Sequence, residues 1–230
     1  THIINTASHE FRTPLSIISL SMEMLCDRGD QLSSEKRMHY RNRVREQILY
    51  LTDMLQDIFA INTTSEVEPE YATYRFSDFC RQLEQTLFRE LHQSSGIHFE
   101  YAPSALSMCT DMQIVKRMLF NLIVNAIKFS EPEAPIKVRC EHTTHELVMQ
   151  VIDQGIGIPH NEQAKIFELF YRASNVDTRR GLGLGLSIVQ KLANTLNGSV
   201  TAESPGHNQG STFTVRLPIK HAAVQRVLLG

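Results

Sequence analysis

Residues 8–15 read Ser8-His9-Glu10-Phe11-Arg12-Thr13-Pro14-Leu15, within a run whose apolar residues recur every three or four positions. This spacing predicts one face of an α-helix. His9 lies two residues from both Ala7 and Phe11, which at about 100° per residue places it away from the apolar stripe. The stretch therefore predicts a helix that exposes a histidine, followed by an acid and then by a helix-kinking proline. The full stripe is Ile4, Ala7, Phe11, Leu15, Ile18, Met22 and Leu25.

A second apolar stripe follows the break at residues 27–30, with Ser33 or Ser34 as the expected helix cap. Two helices joined by a short loop are typical of an antiparallel hairpin. One hairpin cannot cover both stripes, whereas two hairpins form a four-helix bundle, so we predict a homodimer. A monomeric hairpin packed on the rest of the chain is the alternative. The second stripe is Val44, Ile48, Leu51, Leu55 and Ile58.

Downstream, strand-like and helix-like periods alternate in an order that predicts an α/β two-layer sandwich. We expect a helical hairpin over residues 1–65, a polar linker over 66–73, an α/β domain over 74–219 and a tail of unassigned role over 220–230. The predicted helices are 77–93, 111–129 and 184–196, and the predicted strands are 97–101, 136–141, 146–153, 199–203 and 212–217.

Composition sets wider limits on function. The 230 residues are 42% hydrophobic and 21% charged, with a net charge of −2, so neither nucleic acid nor an anionic membrane is an expected partner. Four cysteines without paired spacing favour a reducing compartment. No apolar run approaches the roughly 20 residues that span a bilayer. Because the chain starts at Thr1, we expect it to be a soluble piece of a longer protein.

Two asparagines in the predicted helix 111–129 are candidates for metal binding. Asn121 and Asn125 are four residues apart and share a face, and Lys128 follows on the next turn. Neutral amide oxygens can join a hydrated Mg2+ shell without cancelling its charge, and the lysine supplies a cation for phosphates. Exposed asparagines on a helix are common, so the pair alone is a weak signal.

Asp153, Gly155 and Gly157 follow a predicted strand. A carboxylate at a strand end can accept a hydrogen bond from an exocyclic amine, and glycines let the backbone approach a flat ring. Alone, this turn is indistinguishable from an ordinary glycine-rich turn.

Gly181, Gly183 and Gly185 open a predicted helix, where free N–H groups and the helix dipole suit a triphosphate. No Gly-Lys-Ser/Thr follows, so this is not a P-loop. Between the glycine motifs, the aromatics of residues 167–172 precede a polar run, 173–180, which we interpret as a movable lid. Arg172, with Arg179 and Arg180, either reaches phosphates or is simply solvated.

Taken together, these motifs resemble the sensor histidine kinases of two-component signalling over nearly the whole chain. Residues 8–15 resemble the family's H box and 121–129 its N box. Residues 153–157, 167–170 and 181–185 resemble the G1, F and G2 boxes, and 210–213, with Thr212, resemble the last glycine-threonine element.

The resemblance implies a dimerisation and phosphotransfer hairpin followed by an ATP-binding domain of the type shared with gyrase, Hsp90 and MutL. It implies that His9 is the phosphoacceptor and that Glu10 orients its imidazole. It also implies that Asn125 binds Mg2+ and that Asp153 recognises adenine through a hydrogen bond. Thr13 occupies the position that, in this family, helps to place a water for dephosphorylation of the partner regulator. The remaining positions implied to contact ATP are Asn121, Lys128, Gly155, Gly157, Phe170, Arg172, Gly181, Gly183, Gly185 and Thr212.

We therefore predict a cytoplasmic protein-histidine kinase, or the cytoplasmic part of a membrane-bound sensor, that passes phosphate to a response regulator receiver domain. A plain ATPase is one alternative, but ATPase relatives carry a glutamate where this chain has Asn121, which cannot act as a general base. A dimeric scaffold is the other alternative. Loss of Asn125, Asp153 or the glycines would favour it, and all are present.

Overall fold

The computed structural model describes residues 2–27, 32–63, 68–91, 96–176 and 183–219, without the side chains of residues 2–10, 49, 53 and 56–63. The chain divides into two compact units, the first ending at Asn62 and the second beginning at Thr63. Across the described ranges, no helix is long and apolar enough to cross a bilayer. The predicted tail, 220–230, lies outside the described residues.

The first unit is the predicted helical hairpin. Helix α1 spans His2–Asp27 and contains Pro14, and helix α2 spans Ser34–Thr63. Ser33 caps α2, because its side-chain oxygen accepts from the Lys36 N–H at 3.3 Å and its carbonyl accepts from Arg37. One groove of about 510 Å3 is lined by residues of both helices, as expected for antiparallel neighbours: Ile17 on α1 and His39, Asn42, Arg43, Glu46 and Gln47 on α2.

Packing inside the hairpin uses a different face from the stripe seen in the sequence. The buried residues repeat every seven positions on each helix: Pro14 and Ser21 on α1, Gln47 and Met54 on α2. The residues one position later stay 44–54% exposed: Leu15, Met22, Ile48 and Leu55. The hairpin alone therefore leaves much of its predicted apolar stripe in contact with solvent.

The second unit is the predicted α/β sandwich, and this fold class is confirmed. Its longer helices are α3 (Phe76–Leu91), α4 (Met112–Phe129) and α5 (Gly185–Thr195), with short 3-10 turns at His160–Glu162 and Lys165–Phe167. Its strands are β1 (Ala72–Arg75), β2 (Ile97–Tyr101), β3 (Ser107–Thr110), β4 (Ile136–His142), β5 (Glu146–Asp153), β6 (Ser199–Glu203) and β7 (Ser211–Pro218).

Five strands form one sheet in the order β2-β4-β5-β7-β6, antiparallel except for the β2–β4 pair. Alternate residues of β4, β5 and β7 are buried in register, for example Val138 opposite Val151 and Val151 opposite Phe213. This face packs against α3, α4 and α5, whose own buried residues point back at it. The core therefore lies between one sheet face and one helical layer.

A two-stranded antiparallel sheet, β1 with β3, was not expected from the sequence. Both strands have four residues, too few for a clear alternation of apolar and polar positions. The sheet extends into the predicted linker, because β1 begins at Ala72. Asp111 stabilises this corner: one carboxylate oxygen caps α4 through Gln113 and Ile114, and the other accepts from the Glu70 N–H at 2.8 Å.

Candidate nucleotide-binding site

Helix α4 presents its asparagines to the first residue of helix α5. A Cβ added to Gly185 would lie 3.6 Å from both Asn121 Oδ1 and Asn125 Nδ2. Asn121 donates its amide N–H to the Arg117 carbonyl at 2.9 Å, which fixes its side chain and leaves Oδ1 toward α5. Two amide groups and the N–H groups of a helix terminus thus share one corner, an arrangement suited to phosphate and a hard cation.

The carboxyl end of α4 holds the glycine-rich turn over residues 154–159. The Phe129 carbonyl accepts from the Ile156 N–H at 3.1 Å, and a Cβ on Gly155 would stand 2.5 Å from the same oxygen. Only glycine fits at this distance. Lys128, one residue before, has its Nζ 4.9 Å from the centre of the Phe129 ring.

Asp153 ends β5 at the base of the turn and is only 7% exposed. Its Oδ1 accepts from the N–H groups of Gly155 at 2.8 Å and Ser211 at 3.1 Å. Burial raises the pKa of this carboxyl above its ordinary value, although both backbone hydrogen bonds act in the opposite direction. A buried carboxylate with one oxygen fully bonded keeps the other available for a ligand donor.

The far side of the turn is held by residues 204–210. Gly157 has a φ of +68°, and a Cβ there would lie 1.9 Å from the Gly206 carbonyl oxygen. The N–H groups of Asn208 and Gly210 donate to Ile156 and Gly155. The turn is therefore clamped between the end of α4 and this second loop, and it can place its backbone close to a flat ring.

The residues on either side of the predicted lid meet in the fold. Phe170 has a φ of 64°, unusual for a bulky residue. A Cβ on Gly183, whose φ is +71°, would lie 2.4 Å from the Tyr171 carbonyl oxygen. Arg172 is exposed, and its guanidinium donates to the Val176 carbonyl at 3.5 Å. Thr212 lies on β7 opposite Ile152, next to the Ser211 that bonds Asp153.

Some predicted site residues lie in the first unit or outside the described residues. His9 and Glu10 lie in α1, but their side chains are outside the described residues. Thr13 is exposed on the same helix. Gly181, with Arg179 and Arg180, is outside the described ranges. The nucleotide candidates among the described residues thus lie in the second unit, while the phosphoacceptor candidates belong to the first.

Sequence reasoning missed two residues near the lid. Glu162 is 8% exposed and accepts from the Ser174 N–H at 2.8 Å. Asn175 donates to the carbonyls of Ile156 at 3.3 Å and Gly157 at 3.0 Å. A lone acid and a lone amide in polar runs carry no periodic signal, so nothing in the sequence distinguished them from solvated side chains.

A magnesium ion fits the residues at this site. The described residues hold no cluster of three or more histidine, cysteine, aspartate or glutamate side chains that could bind a metal. The donors at hand are the amide oxygens of Asn121 and Asn125, neutral oxygen ligands beside an N-terminal helix end. This set suits a cation that keeps much of its water and binds mainly through phosphates.

Comparisons with known proteins find family models and relatives that match this chain. The family model "His Kinase A (phospho-acceptor) domain" matches residues 1–64, and "Histidine kinase-, DNA gyrase B-, and HSP90-like ATPase" matches residues 110–221. The aerobic respiration control sensor protein ArcB of Escherichia coli (strain K12) is 30% identical over 227 residues, which cover 94% of this chain. The chain spans 28% of that relative's length.

Solved structures with a similar fold were also found. ShkA in complex with AMPPNP has a TM-score of 0.60 at 26% identity, over 96% of this chain and 46% of that one. The histidine kinase ThkA in complex with the response regulator protein TrrA has a TM-score of 0.73 at 22% identity, over 96% and 62%. The similarity to ThkA supports a shared fold and nothing further.

Proposed function

Because the chain belongs to the sensor histidine kinases, whose catalytic core it carries, we propose that it transfers the γ-phosphoryl group of ATP to its own His9 and then to an aspartate of a response regulator. The observation that carries the nucleotide part is the convergence of Asn121, Asn125 and Gly185 beside a turn based on the buried Asp153. A phosphate-binding corner and a base-binding carboxylate are the two ends that an adenine nucleotide requires.

Asp153 is the residue we assign to adenine. One carboxylate oxygen is held by two backbone N–H groups, so the other can accept from the exocyclic amine without rearrangement. Gly155 and Gly157 let the turn approach the ring, and the N-terminus of α5 receives the phosphates. Asn125, with Asn121 beside it, would hold Mg2+, which supplies charge neutralisation for the phosphates when bound.

The chemical step then falls to His9. A ring nitrogen forms a bond to the γ-phosphorus as the bond from phosphorus to the β,γ-bridging oxygen breaks and ADP leaves. In this proposal the other ring nitrogen would donate its N–H to the Glu10 carboxylate, which would orient the imidazole and offset its developing positive charge. A neutral imidazole needs little activation, so catalysis depends mainly on in-line positioning.

The side chain of Asn121 favours a histidine kinase over a plain ATPase. Its amide nitrogen is engaged by the Arg117 carbonyl, and an amide oxygen cannot take a proton from water at neutral pH. Without an activated water, the γ-phosphoryl group is preserved for the histidine. A scaffold would require none of the close contacts that hold the 154–159 turn.

The proposed kinase acts as a homodimer built through the first unit. Leu15, Met22, Ile48 and Leu55 expose 44–54% of their area on one hairpin. A second hairpin would cover them in a four-helix bundle, at roughly 25 cal/mol for each Å2 of apolar area removed from water. The family model that matches residues 1–64 is a phospho-acceptor domain, in keeping with this assembly.

Phosphate would leave His9 for an aspartate on a separate receiver domain. ThkA, which shares the fold, was solved in complex with a response regulator protein, and we propose a partner of the same class for this chain. Thr13, exposed four residues after His9, is the residue we assign to placing a water for dephosphorylation of that regulator.

Incubation with γ-labelled ATP and Mg2+ tests the proposal directly. Label on the native chain should be acid-labile and alkali-stable, and His9→Gln should abolish it while leaving nucleotide binding intact. A neighbouring substitution at an exposed position of the same helix, Ser16→Ala, serves as the control that should retain label. Released phosphate without labelled protein would support the ATPase instead, and label that persists in His9→Gln would overturn the assignment of the phosphoacceptor.

A further inference from the structure

Residues 171–176, here called the lid stem, begin the segment that we interpret as a lid. The stem is held at two points on the body of the second unit. Glu162 is the first anchor: its carboxylate accepts from the Ser174 N–H at 2.8 Å. Hydrogen bonds from the Ser174 side chain and backbone and from the Tyr171 hydroxyl hold the pKa of Glu162 below its ordinary value. The carboxylate is thus ionised and committed to the stem at neutral pH.

Asn175 is the second anchor, and it bonds to the turn below Asp153. Its amide nitrogen donates to Gly157 O at 3.0 Å and Ile156 O at 3.3 Å. One amide can reach two successive carbonyls only when both point to the same side of the turn. The Asn175 side chain therefore depends on the conformation of the 154–159 turn, where we place the adenine.

The oxygen of the same amide accepts no hydrogen bond within the part of the chain that the structure describes. This atom, Asn175 Oδ1, is buried. An unpaired buried acceptor costs roughly 1–3 kcal/mol, and native proteins keep few of them. Leaving Oδ1 buried without a hydrogen bond costs free energy, and this cost offsets much of the stabilisation from the two bonds that the side chain donates. A contribution to stability therefore does not by itself explain an asparagine at this position.

We propose that Asn175 is a positioning residue that ties the lid stem to the 154–159 turn, with Glu162 as the other anchor of the stem, so that nucleotide at the turn also fixes the start of the lid. This rests on the proposed ATP site and adds to it the residues that couple base binding to the lid. Neither side chain has to touch the nucleotide. Each acts by restricting the stem, which lowers the conformational entropy lost when the site is filled.

The test is titration of the full chain with a fluorescent ATP analogue. Asn175→Ala and Glu162→Ala should each weaken binding by about five- to tenfold, as expected for loss of one or two hydrogen bonds. Glu162→Gln should restore most of the affinity, because its amide oxygen can still accept from Ser174. The double variant should weaken binding by less than the product of the single effects, because both anchors hold one stem.

Asn161→Ala is the matched control. Asn161 is also adjacent to Glu162, but its side chain is exposed and, within the described residues, makes no hydrogen bond to the lid stem or to the 154–159 turn. This substitution should change the affinity by less than about twofold. In autophosphorylation assays, the two anchor variants should raise the KM for ATP and leave kcat nearly unchanged. Unchanged affinity in both anchor variants, or an equal loss in Asn161→Ala, would overturn the proposal.

Amide hydrogen exchange on the nucleotide-free chain separates this inference from the proposed function. Asn175→Ala should speed exchange across residues 171–176, including the Ser174 N–H, while Asn161→Ala should not. If the native chain binds no nucleotide, the proposed function fails although the tie can still be seen in exchange. If the native chain binds but neither exchange nor affinity responds to Asn175→Ala, only the tie fails.

Discussion

The two units of this chain bury apolar residues to very different extents. In the second unit, Phe79, Leu83, Val115 and Met149 are completely buried, between one sheet face and three helices. In the first unit, the residues buried between the two helices include Ser21 and Gln47, while neighbouring leucine and isoleucine side chains remain about half exposed. The second unit closes a core of its own, whereas the first leaves an apolar face exposed, which the proposed dimer would cover.

This difference separates the proposed roles. A unit with its own core can hold a clamped turn and a buried carboxylate in fixed geometry. A unit that a partner would complete can change its packing when that partner moves, which suits the proposed phosphotransfer bundle. The following predictions test whether the two units respond separately.

The largest effect is expected from a charge on the uncovered face of the hairpin. Leu55→Glu should weaken dimerisation by about a hundredfold or more, because a carboxylate would be buried once in each protomer. Leu106→Glu makes the same change at a leucine of the second unit with similar exposure, 51% against 47%, and should leave the dimer intact. Sedimentation equilibrium measures both. A Leu55→Glu chain that remains dimeric would contradict the assignment of this face.

A comparable effect on the other unit is expected from a methyl group at Gly157. The added Cβ would meet the Gly206 carbonyl at 1.9 Å in a backbone with φ +68°, so Gly157→Ala should destabilise the second unit by about 3 kcal/mol or more. Gly96→Ala shares the positive φ, +80°, but its nearest neighbour is 3.8 Å away, and it should cost about 1 kcal/mol. Chemical denaturation of both variants measures the difference. Equal losses would mean that the clamp on the turn contributes nothing.

Asp153→Asn should separate binding from stability. The new amide can keep the bonds to Gly155 and Ser211 through Oδ1, but it presents N–H groups where adenine requires an acceptor. Nucleotide affinity should fall by about thirtyfold or more.

The pH dependence of the melting temperature checks the cause. The folded-state pKa of Asp153 is raised by burial, so its contribution to stability is greatest below the ordinary aspartate pKa and is lost as pH rises through the raised value. Asp153→Asn removes that loss. The nucleotide-free variant should therefore melt at or above the native temperature at neutral pH, with an advantage that shrinks in acid. A variant that melts lower at neutral pH would contradict this account.

The smallest effect concerns the start of α2. Ser33→Ala removes the oxygen that accepts from the Lys36 N–H and should cost the hairpin about 1 kcal/mol, without altering nucleotide affinity. Ser34→Ala, one residue inside the helix, should be neutral or slightly stabilising, since alanine is the better helix former. Melting followed by helical circular dichroism distinguishes the two. Equal effects would mean that Ser33 is not the cap that matters.

The sequence by itself determined those features that repeat or that depend on near neighbours. Apolar spacing predicted the hairpin and the helix that carries Asn121 and Asn125, and the bounds of β2, β5 and β6 were predicted correctly. The order of the glycine and asparagine motifs indicated the nucleotide site and the family. These signals are readable because helix period, strand alternation and turn chemistry act over a few residues.

Tertiary structure alone decided which residues meet across long separations. It placed Gly155 against the Phe129 carbonyl, Gly157 against Gly206, and Asn175 on the turn below Asp153. It also showed which apolar stripe of the hairpin stays exposed, because two helices can pack through a face next to the one their hydrophobicity marks. Such contacts depend on how the elements pack in three dimensions, and no short-range pattern in one chain encodes them.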